Sequence, residues 1–398
     1  MATSSKSPGV SDRAGTFRRI SAGGEAFFSF HPKPLPPSPR LQIGPETQEL
    51  LDTANQALGR LDGITLLLPD PDQFLSSYIR KEAVLSSQIE GTQSSLSDLL
   101  LFEHDEAPGV PVADARETFN YIRAMNHGIT RMEAGFPLSL RLLKEVHGLL
   151  LESGRGAERA PGAFRSTQNW IGGTRPGNAR YVPPPPHEVL PAMGALEKFL
   201  HNDPVKTPIL VKAALAHAQF ETVHPFLDGN GRVGRLLITL LLCAEGQQVM
   251  SRPLLYLSLY LKRNRDEYYT HLQRIRTHGE WEEWLRFFLE GVDEVAGSAT
   301  DTTRRLLSLV EKDRQAIHAL GRASGSALRL HEVAFRQVVF RIPEAARALS
   351  LSEVTIANTA GHLERLGVVR EVTGRSRNKL FVYSKYLAVL EEGTAGGT

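Results

Sequence analysis

Residues 224–235 read His-Pro-Phe-Leu-Asp-Gly-Asn-Gly-Arg-Val-Gly-Arg. These twelve positions hold one imidazole, one carboxylate, one carboxamide, three glycines and two guanidiniums. A helix interior avoids three glycines, because each costs about 1 kcal/mol relative to alanine. A strand favours branched or aromatic residues. The flanking runs, 209–220 and 236–242, are apolar and read as helices. The stretch is therefore a loop that opens a helix, with polar groups held between two buried elements.

The chemistry of that loop suits a phosphate chain. Gly229 and Gly231 let the backbone approach closely and turn its N–H groups inward as an anion nest. The following helix adds free N–H groups and the positive end of its dipole. Arg232 and Arg235 are three residues apart, share a helical face and present planar forks to phosphate oxygens. Asp228 is a hard oxygen ligand for a Mg²⁺ that bridges two phosphates. His224 has the side chain that titrates nearest neutrality and can take a proton from an attacking hydroxyl. A base, a metal ligand and a phosphate cradle are the parts of phosphoryl or nucleotidyl transfer.

Two other patterns in the stretch fail on context. Gly229-x-Gly231-x-x-Gly234 fits the dinucleotide GxGxxG spacing, but a helix precedes it where that motif needs a strand. His217, Glu221 and His224 have the i, i+4, i+7 spacing of a helical metal site. No zinc motif explains the glycines and arginines that follow, so His217 and Glu221 read as structural partners on the helix.

The loop resembles the signature of the Fic family, HPFx[D/E]GNGRxxR, and matches it at every fixed position. A second site gains meaning beside it. Ser86-x-x-x-Glu90-Gly91 closes a helix and alone reads as an ordinary last turn with an exposed acid. It is similar to that family's inhibitory motif, [S/T]xxxE[G/N], in which the glutamate pairs with the second arginine of the loop, here Arg235. A carboxylate there occupies the fork that would hold the γ-phosphate and repels that phosphate. The nucleotide's phosphates would then be misplaced for in-line attack.

The resemblance implies a mainly α fold: a Fic-type helical core with a small β-hairpin flap, plus a C-terminal winged-helix (α+β) domain. It implies a protein adenylyltransferase, a nucleotidyltransferase that moves AMP from ATP to Ser, Thr or Tyr hydroxyls of target proteins and of itself. Implied roles are base for His224, Mg²⁺ (or Mn²⁺) ligand for Asp228, and ATP binding for Gly229, Asn230, Gly231, Arg232 and Arg235. Tyr268 and Tyr269 are expected to stack on adenine, and Glu90 with Ser86 to inhibit. Alternatives within the family are AMP removal and transfer of another phosphate-containing group. A different class is a winged-helix DNA-binding regulator with a decayed site, against which the intact loop argues.

The remaining chain must position these groups. It has 398 residues, a net charge of +2 and an ordinary hydrophobic fraction of 41%, which suits two or three domains with full cores. The charge balance gives no case for bulk attraction to nucleic acid or membrane. The single cysteine, Cys243, excludes an intramolecular disulfide and fits a reducing cytoplasm. No apolar run reaches the roughly 18 residues of a membrane span.

In order, residues 1–25 read as a disordered Ser/Gly/Arg-rich start. Residues 26–41 read as an extended, polyproline-like arm packed through Phe27, Phe28 and Phe30. Helices are expected over 46–68, 74–89, 94–102 and 114–132, the last capped by Asp114. Together residues 26–110 form an N-terminal helical segment, and 111–297 the catalytic core. Within the core, helices are expected over 139–152, 187–201, 206–222 and 231–245, and later over 254–261, 263–276 and 281–295. The segment 154–186 is long for a loop in a compact domain, which marks it as functional or disordered. In it, 168–173 and 179–183 read as a hairpin. The resemblance makes this a flap that aligns a target segment by backbone pairing, with Trp170, Ile171 and Gly172 near the nucleotide or target.

Residues 298–320 read as a linking helix and 321–398 as the winged helix: two helices (342–350, 353–366), then strands 368–373 and 379–382 around a basic turn. Arg370, Arg375, Arg377 and Lys379 would let such a wing meet DNA. The start of the second helix, Ser352-Glu353-Val354-Thr355, offers no Arg or Lys to read bases, so a protein contact is favoured over DNA. The expected partners are thus hydroxyl-bearing target proteins, with a homodimer open and no membrane.

Overall fold

The computed structural model describes residues 11–22, 24–65, 71–104, 109–244, 250 and 252–394. Helices dominate, as the fold-class expectation required, and the sheets are small and antiparallel. The first half of the chain gives β1 (Gly15–Ala22), β2 (Glu25–Pro32), α1 (Pro45–Thr65), α2 (Pro71–Ile89), α3 (Leu96–Glu103), α4 (Val112–Glu133), α5 (Leu140–Leu150) and α6 (Pro186–Leu200). Then follow α7 (Ile209–Val223), α8 (Asn230–Cys243), α9 (Ser258–Arg263), α10 (Arg265–His278) and α11 (Trp281–His318). The chain closes with α12 (Ser324–Gln337), β3 (Val339–Arg341), α13 (Ile342–Leu349), α14 (Glu353–Arg365), β4 (Arg370–Glu371), β5 (Leu380–Val382) and α15 (Ser384–Glu391). The expected helix ends at Leu68 and Glu245 lie outside the described residues.

Helix α7 is the centre. Every residue from Leu210 to Val223 is buried; apolar residues occur on every side, and a helix without a distinct polar face has to be surrounded, so Lys212, His217 and Glu221 are buried with them. It packs against α6, α8, α10 and α11. Trp284 of α11 is buried and donates its indole N–H to Ala214 O at 2.8 Å, so a large ring enters the core without an orphaned donor. The tight α7–α8 pair depends on Gly234. A Cβ there would lie 2.5 Å from Glu221 Oε1 and 3.2 Å from the Phe220 ring.

Several expectations need correction. Residues 1–10 lie outside the described residues, but 11–22 are ordered. β1 pairs with β2 from Gly15↔Pro32 to Ala22↔Glu25, Phe17 packs edge-on against Phe30 at 4.9 Å, and Arg13 forks onto Glu282 at 2.6 and 2.7 Å. Ser/Gly/Arg-rich composition hid these pairings. The expected arm is strand β2 as far as Pro32; Phe27 and Phe30 are buried as expected, whereas Phe28 is 45% exposed. Asp114 does not cap α4. The helix begins two residues earlier behind Pro111, and the Asp114 carboxylate accepts from Gln93 N at 2.8 Å. The expected break between 295 and 301 is absent, because nothing in Ala296-Gly297-Ser298 stops a helix whose Ala296, Ala299 and Thr300 are buried.

At the C-terminal end the three-stranded sheet has the order β3-β5-β4. α13, α14 and the β4–β5 hairpin follow in the expected order, and α12, β3 and α15 complete the unit. This end of the chain returns to α2 and α3. Lys81 Nζ donates to Glu392 O at 2.9 Å, Gln88 Nε2 to Thr394 O at 3.3 Å, and Ser97 N to Glu391 Oε1 at 3.0 Å.

Gly234→Ala is expected to cost about 1–3 kcal/mol through overpacking. The check is urea unfolding, with a lower midpoint at unchanged slope.

Candidate active site

The polar loop sits where α7 ends and α8 begins. His224 terminates α7 in the left-handed region (φ 49°, ψ 60°), a conformation that costs a non-glycine residue about 1 kcal/mol or more. Two buried arginines hold it there. Arg165 donates through Nε to His224 O at 2.9 Å and through Nη2 to Pro184 O at 2.6 Å and Val223 O at 3.3 Å. Arg276 donates to Thr222 Oγ1 at 3.3 Å and Glu221 O at 3.1 Å and lies 3.9 Å over the Tyr181 ring. Cations here satisfy the orphan carbonyls at the negative end of α7.

The same arrangement sets the state of His224. Burial first, then the charges of Arg276 and Arg165, push its pKa down to about 3. The imidazole is therefore neutral near pH 7, more firmly than an unperturbed histidine would be. Its Nδ1 is sealed from solvent and has no hydrogen-bond partner among the described residues; the nearest carboxylate oxygen, Glu221 Oε2, is 3.8 Å away. The side chain is 18% exposed, which leaves Nε2 as the nitrogen that can meet a ligand.

The loop itself is braced from inside. Asn230 Oδ1 accepts from Phe226 N and its Nδ2 donates to Phe226 O, both at 2.8 Å. The Asn230 amide is thus spent on the loop, which leaves its backbone N–H for the expected contact with ATP. Phe226 stacks on His147 at 3.7 Å with the rings 6° apart. Gly162 N–H donates to His147 Nδ1 at 2.8 Å, so Nε2 carries the proton and donates to Asp228 O at 3.1 Å. Burial holds the His147 pKa near 4, which keeps that arrangement at neutral pH. Gly229 stands before α8 at φ +75°, and no side chain caps the helix, so its first N–H groups remain available to an anion.

The two loop arginines have different neighbours. Arg232 is 3% exposed and donates to Glu117 Oε2 of α4 at 3.2 Å, with Asp228 Oδ1 at 3.6 Å. Arg235 is 2% exposed. Its Nε donates to Ser86 Oγ at 2.8 Å, and Nη2 to Ser86 O at 3.0 Å and Glu90 Oε1 at 2.7 Å. Burial alone would raise the Glu90 carboxyl, but Arg235 outweighs it and holds the group below its usual range. Glu90 also lies over Gly231, where any Cβ would collide with its carboxylate. Glu90, Arg155, His224 and the loop line a cleft of about 190 Å³, smaller than pockets that take whole ligands.

Asp228 accepts from Gly229 N at 2.6 Å through Oδ1, and its side chain is 38% exposed. No group of three or more His, Cys, Asp or Glu among the described residues could hold a metal. A cation here would take one carboxylate and draw its other ligands from phosphates and water, the usual manner of Mg²⁺. The set fits that ion.

The outlying candidates divide. Tyr268 is fully buried and its hydroxyl bonds His217 Nε2 at 2.9 Å. Its ring is therefore core, which corrects its expected role against adenine; Tyr269 is only partly buried. The expected flap hairpin reduces to one bridge, Ile171↔Tyr181, since Gly172 and Gly173 leave the β region (φ +69° and +71°). Trp170 is 39% exposed. The far edge of the 181–183 segment is taken by β2, whose Phe30 N donates to Val182 O at 2.9 Å.

His147, Arg165, Arg276 and Glu117 were not singled out from the sequence. Their signal is a polar residue on an apolar face, as His147 lies among Leu142, Leu143, Val146 and Leu150.

Residues 48–130 match the Fic/DOC family N-terminal domain, and 137–242 match the Fic/DOC family domain. The chain carries a Fic/DOC family N-terminal domain followed by a Fic/DOC domain. Its similar curated relatives include the protein adenylyltransferase Fic of Drosophila erecta, 25% identical over 230 residues, which are 56% of this chain and 41% of that protein. The Drosophila grimshawi protein of the same name is 29% identical over 200 residues, 50% and 35% of the two chains. The matches thus span less than half the length of those relatives. A Fic family protein from Desulfovibrio desulfuricans shares the fold with a TM-score of 0.55 at 21% identity, over 86% of this chain and 97% of that one. Among the described residues no helix is long and apolar enough to cross a membrane.

His147, His217 and His224 all titrate below the ordinary value of 6.5, burial being the first cause, at about 4, 4 and 3. Between those values and 6.5 the unfolded chain binds the protons first, so this stability is full above about pH 6.5 and is lost as pH falls toward 4. NMR titration of the imidazoles should show all three neutral down to about pH 5; a His224 midpoint near 6.5 would contradict the geometry.

Proposed function

We propose that this protein is an adenylyltransferase that moves AMP from ATP to a hydroxyl of a target protein and is restrained by Glu90. The observation that carries the reading is the placement of a neutral imidazole, an accessible carboxylate and an uncapped helix N-terminus on one small cleft, with a carboxylate on Arg235.

In the proposed reaction the hydroxyl oxygen forms a bond to the α-phosphorus, the bond from that phosphorus to the α–β bridging oxygen breaks, and pyrophosphate leaves with the bond's electrons. His224 Nε2 takes the hydroxyl proton, a role its depressed pKa supports by keeping the lone pair free. The first N–H groups of α8 face the charge that develops on the phosphate oxygens. Mg²⁺ on Asp228 would neutralise phosphate charge when bound. Phosphates are also expected at Arg232 and Arg235.

Glu90 accounts for the restraint. Its carboxylate occupies Arg235 Nη2 and the space above Gly231, so a triphosphate in productive register has to displace it. The target would run along the 169–172 edge of the flap. Ile171 pairs inward with Tyr181 through both its N–H and its C=O, which turns the Trp170 C=O and the Gly172 N–H outward, while the opposite edge is taken by β2. Backbone pairing of that kind aligns a hydroxyl without reading much sequence.

The test is labelling with ATP carrying a radioactive α-phosphate or γ-phosphate, on the full chain and on lysate proteins. Glu90→Gly should raise α-label at least about tenfold over wild type, a change worth roughly 1.4 kcal/mol in barrier. Adding His224→Ala should abolish it, and γ-label should not transfer. No rise in Glu90→Gly would remove the restraint from the proposal, and γ-label alone would make the protein a kinase.

A further inference from the structure

Arg155 lines the cleft from outside the 224–235 loop. It lies in a turn between two glycines in the left-handed region, Gly154 at φ +87° and Gly156 at φ +88°. Gly156 is required twice over, since a Cβ there would come 2.7 Å from Asp228 Oδ2. The turn thus passes directly against the carboxylate expected to hold the cation.

Two buried side chains on one face of α4 hold this turn. Asn120 Nδ2 donates to Ser153 O at 3.0 Å. One helical turn away, Glu117 Oε2 accepts from Arg155 Nη2 at 3.1 Å and from Arg232 Nη1 at 3.2 Å. Asn120 and Glu117 are each 2% exposed. Burying polar groups is costly unless they are paired, and here both are spent on this turn and on Arg232.

Stability does not explain Arg155. Glu117 already has a buried partner in Arg232, whereas the Arg155 side chain is 55% exposed, and exposed ion pairs contribute little. A polyphosphate approaching the cleft meets Arg232 buried against Glu117 and Arg235 occupied by Glu90. Among the cleft-lining residues, Arg155 is the guanidinium that solvent, and therefore a ligand, can reach.

We propose that Arg155 is a phosphate-binding residue, and that it takes the phosphates lost as pyrophosphate. The assignment rests on the ATP-transfer reading above. With the α-phosphate between His224 and the start of α8, the next phosphate would fall on the side of the cleft that Asp228 and Arg155 line, and the γ-phosphate would reach Arg235 once Glu90 is displaced. Glu117 aims the fork, and the flexible head closes on the leaving group, whose charge grows as the bond to the α-phosphorus breaks.

Calorimetric titration of the full chain tests this, using Glu90→Gly as parent and adding Arg155→Ala or Arg155→Lys. The ligands are ATP with Mg²⁺, inorganic pyrophosphate with Mg²⁺, and AMP. Arg155→Ala should weaken ATP and pyrophosphate by about 10- to 100-fold and leave AMP within about twofold. Arg155→Lys should fall between, because a point charge replaces a fork. The melting temperature should not move, since Glu117 keeps Arg232. Unchanged ATP binding in Arg155→Ala, or equal losses for ATP and AMP, overturns the assignment while the transfer reading stands. A parent that binds neither ATP nor AMP overturns both.

Discussion

A guanidinium buried as deeply as that of Arg235 needs an anion. Its Nε and Nη2 are satisfied by Ser86 and Glu90, and removing the partner of a buried charge costs about 3–5 kcal/mol. Some negative group therefore has to sit against Arg235 in every populated state. In this structure Glu90, the residue that follows α2, provides it. On the proposed reading a phosphate is the other candidate, and competition follows from burial alone. A tethered carboxylate acts at an effective concentration of order millimolar or higher. A free nucleotide wins only by adding contacts that Glu90 cannot make: the α8 N-terminus, Asp228 through a cation, and further cationic side chains.

The loop answers to a second constraint, that its groups be fixed before any ligand arrives. Asn230, His147 and Arg165 spend their hydrogen bonds on backbone atoms of Phe226, Asp228 and His224. Each donor or acceptor used in this way is lost to a ligand, but it removes freedom that binding would otherwise have to remove. What remains is short: the cleft-facing nitrogen of His224, an exposed carboxylate oxygen of Asp228, the first N–H groups of α8, and Arg232 Nε and Arg235 Nη1, neither of which has a partner among the described residues. That residue of unspent groups defines the chemistry more narrowly than the motif does.

The site was legible in the sequence because its residue types contradict the elements around them. Three glycines, two arginines and a histidine between apolar helices are more than a helix junction needs, and the contact from Glu90 to Arg235 is what the resemblance of a second short motif implies. The helical framework was equally legible, because α1, α4 and α5 keep an apolar face in register. What stayed hidden depended on partners far along the chain. Residues 11–22 look disordered until Glu282 is placed beside Arg13 and Phe30 beside Phe17. Tyr268 looks like a base-stacking ring until His217 is found against its hydroxyl. The Asn230 side chain looks like an anion ligand until the loop folds back and its amide meets Phe226. His147 and Arg165 are single polar residues whose acceptors are carbonyls, and carbonyls leave no trace in sequence.

The helix that leads into Glu90 shows how far such dependence reaches. α2 packs on α4, α8 and α9, but its last turns also bond the end of the chain, where Lys81 and Gln88 donate to the carbonyls of Glu392 and Thr394. Lys81 is 2% exposed and Thr394 likewise, so these bonds are made away from water, where an unmade one costs more than a made one contributes. Gln88 precedes Glu90 by two residues and also accepts from Lys262 Nζ at 2.7 Å. The height of Glu90 above Gly231 thus depends on residues as distant in sequence as Lys262, Glu392 and Thr394. The short motif supplies the carboxylate, and the whole fold decides where the carboxylate stands.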